Sequence, residues 1–171
     1  MSPWARHALV AAAAAALIAP SARWIRDAWE SSPQDSPGPW FAGLALAWWV
    51  IVALLVRPEE KRFDTSALPL LFLWALVGAA GIVFDVRLLV AAAGVGTTWA
   101  LAWGICGSTA GLLLLPSLIA ALLALPTTGY LIDEVWLSLG LVSPGDLTAK
   151  AAICALVMLA GTAASWKTHP C

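Results

Sequence analysis

Few residues of this chain could do chemistry, and the first candidate is Cys106, in the stretch WGICGSTAG at residues 103–111. A cysteine nucleophile needs a base, and usually a cationic neighbour that lowers the pKa of the thiol. Residues 88–125 contain no charged side chain, so none lies within eighteen positions of Cys106. A free cysteine in an apolar run is usually a small packing residue, and we interpret Cys106 as structural. Together with Cys154 and Cys171 it completes neither a disulfide framework nor a zinc pattern.

The other ionisable residues are weaker candidates for a catalytic or binding role. Asp133 and Glu134 are adjacent, so on a helix they point about 100° apart and make a poor acid–base pair. We interpret them as a solvated face rather than a cation or proton path, and Asp85 and Arg87 as a locally paired turn. His7 is the single candidate for binding a cofactor, a pigment or haem. No catalytic set and no metal site is predicted, and the lack of charge at the centres of the apolar segments disfavours a pump.

The composition indicates which elements position these residues. The chain has 171 residues, 61% hydrophobic and 11% charged, whereas soluble domains carry about 25% charged residues. A net charge of -1 argues against nucleic acid as a partner. We predict an all-α, polytopic transmembrane helical bundle that forms a single integral membrane domain, residues 1–171. In lipid each apolar segment must be helical to satisfy its own backbone. The six predicted spans are residues 4–19, 40–56, 67–84, 88–105, 110–125 and 149–166.

Two connectors are amphipathic. Residues 23–30 and 131–139 each place tryptophan and aliphatic side chains on one helical face and charges on the other. This spacing predicts two interfacial helices lying flat on the membrane, with an ordinary loop as the alternative. Arg6 and His7 precede an apolar core that could pass for a signal peptide, and we interpret it as an uncleaved first span.

The uncharged run at residues 88–125 is too long for one span and suits two. Its small residues are densest at 104–109, which predicts a tight hairpin there, and Pro116 should kink the next helix or lie in its first turn. Glycines let helices approach closely. The predicted residues for helix packing and partner contact are Gly43, Gly78, Gly81, Gly94, Gly107 and Gly111, with five tryptophans deep in the spans, Trp48, Trp49, Trp74, Trp99 and Trp103.

These five indoles need acceptors for their N–H groups, which lipid does not offer. We expect them to face other helices, a partner subunit, or a bound lipid, quinone or pigment at a partner interface.

Residues 17–161 resemble the first part of exosortases and archaeosortases. The resemblance is carried by LIAPSARWIRDAWESSPQDSPGPWFAGLALAWWVIVALLVRPEEKR and by PSLIAALLALPTTGYLIDEVWLSLGLVSPGDLTAKAAICALVMLAG. Those enzymes are membrane transpeptidase-like proteins that process C-terminal sorting tails with a Cys, an Arg and a His in their second half. Here Cys106 precedes the interfacial segment, Gly-Ser follows it in place of the family's Ser-Gly, and no arginine follows Arg87. The resemblance therefore implies a shared scaffold without shared chemistry.

The sequence predicts a non-catalytic integral membrane subunit, a scaffold or assembly protein that docks by helix packing onto a larger complex. Respiratory, photosynthetic and sorting assemblies are all compatible, with other integral membrane proteins and the bilayer as partners. The alternative is an exosortase-like cysteine transpeptidase or a fragment of one. The expected location is a prokaryotic inner membrane with the N-terminus in the cytoplasm, because that orientation puts five of the nine Lys and Arg residues inside.

Overall fold

The computed structural model describes residues 3–33, 35–55, 63–126 and 150–160, and every regular element in these ranges is helical. The elements are α1 (Pro3–Ser31), α2 (Gly38–Leu55), a 3-10 turn (Thr65–Ala67), α3 (Leu68–Val83), α4 (Arg87–Cys106), α5 (Ser108–Leu113), α6 (Leu115–Leu123) and α7 (Lys150–Ala160). Four helices, α1 to α4, are long and apolar enough to cross a membrane. The predicted all-α class is confirmed for this part of the chain. The interfacial helix predicted at residues 131–139 lies outside the described residues.

Helix α4 is the centre of the bundle. Half of its most apolar window is buried, against 17% for α1 and 11% for α3. Its buried positions are mostly small, including Ala91, Gly94, Gly96 and Ala102. Small side chains let neighbouring backbones come close on several sides at once, which suits a helix that must pack against several others.

The helices run alternately up and down. Arg6 at the start of α1 donates to the carbonyl of Ile105 at the end of α4. Along α3, Trp74 packs against Gly96 of α4, and the later residue Gly81 packs against the earlier residue Val90. Helices α1 and α3 are therefore antiparallel to α4. Helix α2 is antiparallel to the α5–α6 segment, with Phe41 and Ala45 packed against the end of α6 and Val52 against the end of α5.

Helix α1 departs from the predicted boundaries. A span at 4–19 followed by a separate interfacial helix at 23–30 is wrong, since one 29-residue helix continues through Pro20. Its second half is held by tertiary contacts: Ile25 is buried with Ala91 and Leu125, and Trp29 Nε1 donates to the carbonyl of Ala124 at 2.8 Å. The apolar face of residues 23–30 thus covers other helices, while its charged residues are exposed.

The hairpin predicted at 104–109 is confirmed. Helix α4 ends at Cys106, and Gly107 adopts φ 96°, a conformation that favours glycine because it has no Cβ. The predicted single span at 110–125 is instead two helices broken at Leu114, with Pro116 in the first turn of α6. Proline lacks the N–H that would continue the ladder and its ring clashes with the carbonyl four residues back.

Candidate functional site

The break between α5 and α6 leaves helix-end carbonyls that need donors, because the last carbonyls of a helix have no intrahelical partner. Tryptophans from two other helices supply donors at this break. Trp99 Nε1 of α4 donates to the carbonyl of Gly111, and Trp48 Nε1 of α2 donates to that of Leu113, each at 2.8 Å. Trp29 of α1 does the same at the end of α6. The broken segment is therefore framed by indoles on three sides.

The remaining deep tryptophans also lie against protein. Trp103 stacks edge-on against Trp99, with ring centroids 5.4 Å apart, and its Nε1 donates to Ser66 Oγ at 3.0 Å. Trp74 covers Gly96. Trp49, half-buried, borders the groove described below.

The predicted packing glycines fall into two groups. Most face helices of this same chain: a Cβ at Gly78 would lie 3.2 Å from Ala93 Cβ, one at Gly81 2.8 Å from Val90 N, and one at Gly94 3.1 Å from the Leu17 carbonyl. Gly111 packs against the Trp103 ring, and Gly107 forms the α4–α5 turn. Gly43 differs, since it is exposed on α2 and nothing lies within 4 Å of a Cβ built there.

A lateral groove of about 260 Å³ opens between α1 and α2, with α4 and α5–α6 as its floor. Its hydroxyls are already engaged: Thr98 Oγ1 donates to the Gly94 carbonyl and Ser117 Oγ to the Ala45 carbonyl, both at 2.8 Å. The surface that remains is apolar. Its lining residues are Ala11, Ala14, Ile18, Ala45, Leu46, Trp49, Val95, Thr98, Trp99, Leu114, Ser117, Leu118 and Ala121.

The outer faces of α1 and α3 differ in kind. Helix α1 exposes Ala8, Ala11, Ala12, Ala15, Ala16 and Ala19, interrupted by Leu9 and Leu17. Helix α3 exposes bulky residues, including Phe72, Leu73, Leu76 and Ile82. The groove therefore continues into a shallow alanine surface on α1, whereas α3 presents long side chains outward.

The described residues that were considered for chemistry do not form an open reaction centre, and Asp133, Glu134 and Cys171 lie outside the described residues. Cys106 is 2% exposed, too buried to meet a substrate, and Cys154 is buried against Phe41 and Ala124. His7 is also buried, and neither ring nitrogen has a hydrogen-bond partner among the described residues. No group of three or more metal-ligating side chains occurs in the part of the chain that the structure describes.

Sequence reasoning missed one contact here. Arg6 Nη1 lies 3.3 Å from the carbonyl of Ile105, which brings a cation to the residue next to Cys106. The signal was available in principle, because alternating helices place the start of α1 beside the end of α4. The local pairing expected of Asp85 and Arg87 is not observed, since neither residue forms an ion pair among the described residues.

No family model, curated protein or solved structure matches this chain.

Proposed function

We propose that this protein is a non-catalytic integral membrane subunit, which docks by helix packing onto a larger membrane assembly. Four helices of suitable length and apolarity support the membrane placement. The burial of Cys106 argues against chemistry at that thiol. The role that fits best is structural, exercised through contact.

The observation that carries the proposal is the lateral groove together with the alanine face of α1 beside it. Lipid provides no hydrophobic drive for helices to associate, so membrane helices associate where small residues allow close backbone approach. The two hydroxyls in the groove wall are engaged within the chain, and the lining residue Ala11 is exposed. Gly43 on α2 extends the same kind of open surface. The occupant we propose is a transmembrane helix of a partner protein.

We propose six membrane spans for the chain. Helices α1 to α4 make four spans, the broken α5–α6 segment a fifth, and α7 a sixth. The broken backbone at Leu114 is compatible with lipid because it is buried among other helices. The N-terminus lies in the cytoplasm and the membrane is a prokaryotic inner membrane. The resemblance to exosortases concerns this scaffold.

The test is gentle detergent extraction of the tagged protein, with identification and stoichiometry of co-purifying chains. We expect a membrane protein to co-purify in a fixed ratio. Its recovery should fall at least about tenfold for Ala11→Leu, because a loss of about 1.4 kcal/mol in packing free energy lowers the affinity tenfold. The matched control is Ala75→Leu, an exposed alanine in the middle of α3. It adds the same bulk outside the groove and should leave recovery unchanged.

The cysteine variants separate docking from catalysis. Simultaneous Cys106→Ala, Cys154→Ala and Cys171→Ala should retain the partner, because none of the three is proposed to act in docking. A monodisperse monomer, a partner insensitive to Ala11→Leu, or groove density identified as lipid alone would each reject the docking proposal. Loss of a peptidase activity in the triple variant would favour the transpeptidase alternative.

A further inference from the structure

A second cavity, the interfacial cleft, lies at the opposite side of α1 from the lateral groove. It is bounded by the second half of α1, the end of α3 and the start of α4, with a volume of about 720 Å³. This falls within the roughly 300–1,000 Å³ typical of small-molecule sites. Its lining mixes charged and apolar residues on both sides: Pro20, Ser21, Arg23, Trp24, Asp27, Gly81, Ile82, Asp85, Arg87 and Val90.

Four charges of balanced sign surround this cleft. Arg23 and Asp27 of α1 are 3.9 Å apart, a long contact between two exposed side chains. Across the cleft, neither Asp85 nor Arg87 has an ion-pair partner among the described residues. Two guanidinium groups and two carboxylates therefore line one cavity, with little of their charge neutralised by mutual contact.

The α3–α4 turn adds the start of a helix to the cleft. Asp85 has φ 54°, a left-handed conformation that is uncommon outside glycine, asparagine and aspartate. Val86 is the N-cap of α4 and provides no side-chain cap to the first amides of that helix. The start of a helix carries partial positive charge and favours an anion, and Arg87 lies in that first turn.

The length of α1 places the cleft relative to a bilayer. Its 29 residues span about 43 Å at about 1.5 Å per residue, longer than a hydrocarbon core of about 30 Å. Arg23 and Asp27 lie beyond the alanine-rich half, and α3 ends at Val83 beside them. Trp24, half-buried in the cleft wall, is the residue type enriched where acyl chains meet headgroups.

We propose that the interfacial cleft binds the phosphoethanolamine headgroup of a membrane phospholipid, with Arg23 and Arg87 holding the phosphate and Asp27 and Asp85 holding the ammonium. The planar guanidinium fork matches phosphate oxygens, and a primary ammonium donates to carboxylates in a way that a quaternary ammonium cannot. The balanced charge of the cleft matches a zwitterion rather than an anionic lipid. The assignment rests on the membrane placement proposed above and is independent of the docked partner.

The experiment uses the purified full-length chain without a partner. It is incorporated into nanodiscs of equal phosphatidylethanolamine, phosphatidylcholine and phosphatidylglycerol with identical acyl chains, then released into mild detergent, and retained lipids are identified by native mass spectrometry. We expect the wild-type protein to retain phosphatidylethanolamine preferentially. Losing charged hydrogen bonds commonly costs roughly tenfold or more in affinity, so a preference of about that size is expected.

Two double variants separate the roles of the charges. Arg23→Gln with Arg87→Gln should abolish retention of all three lipids at the cleft. Asp27→Asn with Asp85→Asn should leave phosphate binding intact and turn the preference toward phosphatidylglycerol. The matched control is Arg26→Gln with Glu30→Gln, an exposed pair 2.8 Å apart on the same helix that does not line the cleft. It should behave as wild type, and unchanged melting temperatures of all three variants verify folding.

Several results would overturn the assignment. Equal retention of the three lipids by the wild-type protein, or preferences unaffected by both cleft variants, would remove the headgroup site. A wild-type preference for phosphatidylglycerol would make it an anion site without the ammonium contacts. Displacement of the retained lipid by millimolar inorganic phosphate would identify a soluble phosphate as the ligand instead.

Discussion

Among single residues, the tryptophans carry the most structural information. An indole is a large apolar body with one donor, and here the donor is used where a helix ends. Trp48 and Trp99 each supply a hydrogen to a carbonyl beside the α5–α6 break. The need of deep indoles for an acceptor could be predicted from the sequence. The acceptors themselves could not, because Gly111 and Leu113 become available only through the break caused by Pro116.

Replacing Trp99 or Trp48 by Phe should therefore destabilise the bundle. The ring is largely kept, but one carbonyl loses its donor, and interhelical hydrogen bonds in membrane proteins contribute about 0.6 kcal/mol on average, with a maximum of about 1.7. Thermal unfolding in detergent micelles measures the effect. Trp40→Phe is the control, since Trp40 is 80% exposed, and its unfolding should match that of the wild type. Equal melting of all three variants would mean that the carbonyls find other donors.

At the scale of helices, the pattern of apolar runs predicts that helices exist and the turn residues predict where they reverse. The hairpin at Gly107 follows from its small-residue cluster. The continuity of α1 through Pro20 does not, because it depends on Ile25 and Trp29 packing against residues about a hundred positions away. Likewise, Gly78 was a predicted partner contact or packing residue, and only the three-dimensional structure puts it against α4. A Gly78→Leu variant thus tests folding rather than assembly.

Two glycines, one in the α3–α4 contact and one on the open face of α2, should respond oppositely to a methyl group. Gly96→Ala places a methyl group into the ring of Trp74, and overpacking of this kind costs about 1–3 kcal/mol. Gly43→Ala meets open space and should be neutral or stabilise the free protein by up to about 1 kcal/mol through helix propensity. Denaturant titration in micelles compares them. Equal stability of the two variants would show that Trp74 can leave α4 at no cost.

Among the described helices, α4 and the α5–α6 segment form the buried centre, and α1, α2 and α3 are peripheral. The alternating order puts the start of α1 and the end of α4 at one end, and the α1–α2 and α3–α4 connections at the other. This arrangement could be predicted in outline from the number of spans, but not the central place of α4. The central position of α4 depends on which small residues contact which neighbouring helices. The periodicity of apolar residues does not predict these contacts.

Cysteine labelling tests the arrangement in cells. In a chain whose native cysteines are replaced by alanine, Ser36→Cys and Thr65→Cys place thiols at exposed positions on opposite ends of the bundle. With the N-terminus in the cytoplasm, an impermeant maleimide should label position 36 in intact cells and position 65 only after permeabilisation. The reverse pattern would invert the proposed orientation, and labelling of both from one side would contradict the alternating order.

The long separation between α1 and its packing partners has a consequence for biosynthesis. The hydrogen bond from Arg6 to Ile105 joins residues 99 positions apart, and that from Trp29 to Ala124 joins residues 95 apart. At about 5–20 residues per second, roughly 5–20 s pass between the synthesis of α1 and that of the helix it will pack against. During this interval α1, which is rich in alanine rather than leucine, must keep its place without its native neighbours. The nascent chain is then most open to a chaperone, or to early capture by the partner proposed above.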